Sequence, residues 1–170
     1  PVDFNLISLI NGCIDDLDLV AKEKGTQIIF TPYSEDLSIN ADIRRVERIL
    51  RNLFNNAIDH AELKPINVHV EYNDNDVAVA VRDHGIGMDE NSLLRIYDRF
   101  WRADPSRSRI RGGTGLGLSI ALEDARLHEG ELEVWARPDK GAHFVLTLPR
   151  LAGNQIQSRL IRLEPKDLKI

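Results

Sequence analysis

Cysteine is nearly absent from these 170 residues. Cys13 stands alone, which excludes an internal disulfide framework and a cysteine-based zinc cluster. Set among apolar neighbours, it reads as a small buried side chain rather than a reactive thiol. No apolar run approaches the roughly 20 residues that cross a bilayer, and no signal peptide opens the chain. A surplus of positive charge is missing too: the formal net charge is −5, whereas a general nucleic-acid binder is usually basic. Internal repeats and low-complexity tracts are lacking. Pro1 stands where an initiating Met would be, so the chain reads as an excised fragment. What remains is a composition of 42% hydrophobic and 29% charged residues, that of an ordinary soluble globular protein. The length fits one domain, which at this size buries roughly 70% of its unfolded surface.

Hydrophobic spacing outlines the elements. Phe4, Leu6, Ile7, Leu9, Ile10, Ile14, Leu17 and Val20 recur at near-helical intervals, predicting a helix over 4–24 that Gly25 stops. Residues 26–31 read as a strand ended by Pro32. Asp42 precedes the strongest helical pattern, with Val46, Ile49, Leu50, Leu53, Phe54, Ala57, Ile58 and Ala61 on one stripe. Ile66, Val68 and Val70, then Val77, Val79 and Val81, alternate with other residues around the turn Asn73-Asp74-Asn75. That predicts a hairpin with one face buried and the other open to solvent. A short helix over 89–98, an arginine-rich loop over 101–113 and a helix from Thr114 to His128 follow, the last closing on Gly130. Strands over 131–136 and 142–148 flank the turn Pro138-Asp139-Lys140-Gly141. From Arg150 onward the pattern fades into a tail of net charge +3, read as a flexible extension. Without a strand–helix–strand rhythm, the order suggests an α+β fold with a mixed sheet covered by helices on one face.

Three segments depart from a plain core. Asn52 and Asn56 lie four apart on the strongest helix, opposite its apolar stripe. Asn is a mediocre helix former, but its side-chain oxygen is a hard ligand suited to Mg²⁺; a solvated face is the plainer reading. In Asp83-His84-Gly85-Ile86-Gly87, the glycines let a ligand approach the chain closely. Asp83 could accept a hydrogen bond from an exocyclic amine such as that of adenine; a strand-ending turn is the alternative. Gly112-Gly113-Thr114-Gly115-Leu116-Gly117-Leu118 stands immediately before a helix, where bare N–H groups can wrap phosphate oxygens. A hinge would look similar. No Gly-Lys-Ser/Thr follows, so this is not a P-loop, and no βαβ unit surrounds it as in a dinucleotide site.

Together and in this order, the segments resemble the N, G1 and G2 boxes of the histidine-kinase family of ATPases, which share a fold with gyrase, Hsp90 and MutL. Phe100, within Tyr97–Arg102, is similar to the family's F box, and Gly141–Pro149 to its closing strand. Asp104–Arg107 and Glu123–His128 further resemble the actinobacterial MtrB type of sensor kinase. The resemblance implies a Bergerat-type two-layer α/β sandwich over residues 1–149, with 150–170 as a tail. It implies that Asn56 coordinates Mg²⁺ on the ATP phosphates, with Asn52 in support. Asp83 would bind the adenine amine, and Gly85 and Gly87 would shape the base pocket. Gly113, Thr114, Gly115, Leu116, Gly117 and Leu118 would line the phosphate end beneath a lid formed by residues 101–113.

Residues 99–113 carry five arginines and one acid, and Arg107 among them would screen phosphate charge. His60 would touch phosphate or ribose, whereas His69, His128 and His143 read as structural or solvent-facing. Asp59 stands where the family often has Lys or Arg, which puts that phosphate contact in question. None of the five histidines lies in the family's phosphoacceptor motif.

The implied function is donation of the ATP γ-phosphate to a histidine on a separate dimerisation domain of a two-component sensor kinase, and from there to a response regulator. The fragment would be the cytoplasmic part of a membrane-anchored parent, without nucleic-acid or membrane contact of its own. An anti-sigma-factor type of serine kinase and a nucleotide-responsive module without transfer activity are the alternatives. The 4–24 helix and Phe100-Trp101-Arg102 argue against the first, while Asp59 leaves the second open.

Overall fold

The computed structural model describes residues 1–98 and 116–168. Along the chain run β1 (Val2–Asn5), α1 (Leu6–Glu23), β2 (Ile28–Phe30), β3 (Ser38–Ala41), α2 (Ile43–His60), β4 (Ile66–Tyr72), β5 (Asp76–Asp83), α3 (Glu90–Arg95), α4 (Gly117–Leu127), β6 (Glu131–Arg137) and β7 (Gly141–Pro149). Five strands form one mixed sheet in the order β2-β4-β5-β7-β6. The β2–β4 pair is parallel and the other three are antiparallel. β1 and β3 pair antiparallel in a separate ribbon. This is the mixed-sheet α+β architecture expected, with α1, α2 and α4 packed on one face.

The α2 stripe explains that packing. Val46, Ile49, Leu50, Leu53, Phe54, Ala57 and Ile58 are all buried, and their strand counterparts are Val68, Val70, Val77, Val79, Val81, Phe144, Leu146 and Leu148. Burying each large aliphatic or aromatic side chain stabilises by about 1.5–3 kcal/mol, which outweighs the propensity cost of asparagines on the other side of the helix. Asp42 caps α2, its side chain accepting from the N–H groups of Arg44 and Arg45 at 3.1 and 3.3 Å.

Several boundaries differ from the sequence reading. Phe4 and Asn5 belong to β1 rather than to α1. Asn5 ends the strand and caps the helix, its Oδ1 accepting from Ile7 and Ser8 N–H. β2 is shorter than 26–31, because Thr26 turns its hydroxyl to the Lys64 carbonyl at 2.6 Å. Leu116 is the N-cap and α4 begins at Gly117, later than the expected start at Thr114; Thr114 lies outside the described residues.

The hairpin expectation holds for β4, whose residues alternate between buried and exposed over Ile66–Val70, and fails for β5, where every residue is buried. β5 is the central strand, and residues 150–168, which form no helix or strand, run across its second face. There Ala78, Ala80 and Val145 pack with Ile161, beside Leu160 and Leu163. Polar anchors fix this tail. Buried Asp76 accepts from the Gln157 and Ser158 N–H groups and the Ser158 hydroxyl, and His143 Nδ1 meets the Leu163 carbonyl at 2.7 Å.

Candidate nucleotide site

Asp83 ends β5 with only 1% of its surface exposed. Its Oδ1 accepts from the N–H groups of Gly85 at 3.1 Å and Ala142 at 3.3 Å. Among the described residues no hydrogen bond is made to Oδ2. Burial pushes this carboxyl up to about 6, against the downward pull of the two N–H groups and of the Arg82 charge. A fixed, dry carboxylate with one oxygen to spare suits recognition of a donor on a ligand.

The loop after Asp83 is held between two elements. Ile86 N–H donates to the His60 carbonyl at the end of α2, and Asp139 N–H, in the β6–β7 turn, donates to the Ile86 carbonyl. Gly85 lies so close to α2 that a side chain would overlap the His60 carbonyl. Gly87 adopts a φ of +65°, and a side chain there would overlap the Arg137 carbonyl. Both glycines are therefore required by the packing, whatever else they do.

At the other end of the polar face of α2, Asn52 meets the start of α4. A Cβ added to Gly117 would lie 3.3 Å from Asn52 Oδ1. Among the described residues no side chain caps the N-terminus of α4, where the first N–H groups of a helix lack intrahelical partners. Asn52, Asn56 and His60 are spaced by four on α2 and all half-buried. They cover about 12 Å along the helix axis at 1.5 Å per residue. Asn56 sits between the two contacts.

The structure thus joins Asp83 to Gly85, Gly85 to the α2 end at His60, and Gly117 to Asn52, with Leu116 and Leu118 flanking Gly117. Arg107, Gly113, Thr114 and Gly115 lie outside the described residues. No group of three His, Cys, Asp or Glu side chains that could cage a metal occurs among the described residues. The open cleft lined by Asn40, Asp42, Arg45, His128 and Pro149 includes none of the candidate residues.

The family model for histidine kinase-, DNA gyrase B-, and HSP90-like ATPases matches residues 41–152, which hold all of these segments. The chain belongs to that family. It is 44% identical over 161 residues to sensor histidine kinase MtrB of Mycobacterium tuberculosis, covering 95% of this chain and 28% of MtrB. The nucleotide-free catalytic domain of histidine kinase ThkA is similar at a TM-score of 0.76 and 28% identity, over 88% of this chain and 95% of that one. Full-length ShkA in complex with AMPPNP is similar at a TM-score of 0.77 and 25% identity, over 89% of this chain and 31% of ShkA.

Against this family background, the histidines read as structural or solvent-facing divide between the two. His128 spans two helices: Nε2 accepts from Asp42 N–H at 3.2 Å while Nδ1 lies 2.8 Å from the Asp124 carbonyl. His69 faces Glu71 at 2.8 Å. The sequence reading missed the Ala142 N–H that helps fix Asp83. That contact left no local trace there, because Ala142 lies on β7, which pairs with β5 from 59 residues further along the chain.

Proposed function

We propose that this chain is the ATP-binding catalytic domain of a sensor histidine kinase: it holds Mg·ATP and donates the γ-phosphoryl group to a histidine on a separate dimerisation domain. The carrying observation is that one helix face, Asn52-Asn56-His60, touches the Gly85 loop at one end and the start of α4 at the other. A purine held at Asp83 and phosphates held at Gly117 would then both lie along α2. The ShkA complex with AMPPNP, on a similar fold, supports a nucleotide ligand.

Asp83 would accept from the adenine amine through Oδ2. The N–H groups at Gly117 and Leu118 would bind phosphate oxygens, favoured by the helix dipole. Asn56 supplies a hard amide oxygen, and with no carboxylate cage among the described residues this donor set suits Mg²⁺, which keeps phosphate and water ligands. The bound metal would neutralise charge on the phosphates. Asn52, wedged against Gly117, would hold the α4 start in place. Phosphoryl transfer asks the protein mainly for such positioning: an imidazole nitrogen of the partner domain forms the N–P bond as the β–γ bridging P–O bond breaks and ADP leaves. An aspartate of a response regulator would then take the phosphoryl group. The site residues outside the described part, Arg107 among them, would complete the phosphate end.

A calorimetric titration with ADP and a non-hydrolysable ATP analogue, with and without Mg²⁺, tests this. Mg²⁺ should tighten binding of the triphosphate, and Asn56→Ala should abolish that tightening while leaving metal-free ADP binding in place. No adenine-nucleotide binding, or a full Mg²⁺ effect in Asn56→Ala, would overturn the assignment.

A further inference from the structure

Arg82, next to the adenine-reading carboxylate, is a charged residue only 8% exposed. Its Nη1 donates to the Asp83 carbonyl at 2.6 Å and to the Ala142 carbonyl at 3.3 Å. Those two residues also carry the fixed oxygen of the site and one of its donors, since Ala142 N–H binds Asp83 Oδ1. The guanidinium thus ties together the two main-chain segments whose spacing sets where Oδ2 points.

What holds the guanidinium comes from elsewhere. It lies 5.4 Å from the Trp135 ring centroid. Its Nε lies 3.3 Å from each carboxylate oxygen of Asp167, 85 residues further along the chain. Asp167 also faces His84 Nδ1 at 3.4 Å, while the other nitrogen of that ring lies 3.3 Å from Asn67 Oδ1. The tail carrying Asp167 is seated by Ile161 and by the His143–Leu163 contact. One side chain of the tail therefore touches the residues on both sides of Asp83.

We propose that Asp167 is a positioning residue for base selectivity: through Arg82 it sets the geometry in which Asp83 distinguishes adenine from a purine lacking the exocyclic amine. The inference rests on the assignment of Asp83 to the adenine amine.

The test compares ADP with inosine diphosphate, which carries a carbonyl oxygen where adenine has its amine, by calorimetry on the whole chain. Asp167→Asn should weaken ADP about five- to tenfold, the scale of one misaligned hydrogen bond, and leave inosine diphosphate within about twofold. Asp167→Glu should restore most of the ADP affinity. Thermal unfolding checks that each variant is folded, and Asp167→Ala serves if the Asn variant is not. Asp83→Asn is the control and should remove the preference for ADP by itself. If Asp83→Asn keeps that preference, the adenine assignment fails and this inference falls with it. If Asp83→Asn loses it while Asp167→Asn keeps it, or if Asp167→Asn weakens both nucleotides equally, the positioning role of Asp167 is overturned and the site assignment stands.

Discussion

Asp83 occupies a position that favours its neutral form, because burial lifts its carboxyl to about 6. The consequence for stability has a definite sign. Below the ordinary carboxylate range, the group is protonated in both the folded and unfolded chain and contributes no penalty. As pH rises through about 6 the folded chain must ionise it in a dry setting, while the unfolded chain has ionised it already, so stability falls across that window and stays lower above it. Asp83→Asn keeps an oxygen for the Gly85 and Ala142 N–H groups and removes the charge. It should stabilise the ligand-free protein at pH 7.5 by on the order of 2 kcal/mol and remove this part of the pH dependence between about 4 and 6. Urea unfolding of both proteins across that range provides the measurement, and a variant less stable than the parent at pH 7.5 would contradict it. The same group should make ADP binding weaken as pH drops through about 6, since only the ionised carboxylate keeps Oδ2 able to accept from the amine while Oδ1 accepts from the Gly85 and Ala142 N–H groups. A residue that costs stability in the empty protein and serves a ligand is the pattern expected of a binding site.

Among the elements, α2 and α4 must stay in register for Gly117 to meet Asn52, and Asp124 is the tie. Its carboxylate, 1% exposed, receives Arg48 Nε and Nη2 at 2.7 Å each and Arg45 Nη1 at 3.0 Å. Burial pulls this carboxyl upward, but the two arginines outweigh that and hold it below its ordinary value, so its contribution is present at neutral pH and is lost as pH falls through that lowered value. Both arginines keep 42–52% of their side chains exposed and can rehydrate. Asp124→Ala should therefore cost about 2 kcal/mol, below the range for a fully buried pair. Denaturant midpoints read that loss, and Mg²⁺-dependent nucleotide binding should weaken with it because the α4 start loses its anchor.

How far the sequence could show these elements depends on range. The α2 stripe repeats over about four turns and was legible, as was the need for glycine at 85 and 87, because each signal lies within a few residues. The β1–β3 ribbon was not, since Phe4 continues the helical spacing of α1 and β3 has only four residues. The second buried face of β5 was hidden for another reason. Ala78 and Ala80 are small enough to suit solvent, and their cover, Ile161, comes from a segment with no periodicity. The link from Arg82 to Asp167 spans 85 residues and leaves no local pattern.

At the scale of the whole molecule, the chain spans 28% of the length of MtrB, and four of its five histidines make the following side-chain contacts. His143 holds the tail, His128 bridges α2 and α4, His69 faces Glu71, and His84 lies between Asn67 and Asp167. An acceptor imidazole must approach the γ-phosphorus in line, with a nitrogen lone pair free; both nitrogens of His128 are engaged, His143 is buried, and none of the five histidines lies in the family's phosphoacceptor motif. Incubated alone with Mg·ATP, the protein should bind nucleotide and show no phosphohistidine. Supplied with a separately made dimerisation domain from a matching sensor kinase, it should label that domain's histidine, and the label should be lost in acid and retained in base. In a parent chain the two domains would be tethered, at an effective concentration of about a millimolar for a short flexible link. In trans that advantage is gone, so the labelling rate should rise nearly in proportion to the added domain throughout the micromolar range. Label on this chain itself, or an acid-stable label on the partner, would instead indicate transfer to a hydroxyl and overturn the histidine-kinase reading, while leaving the nucleotide site intact.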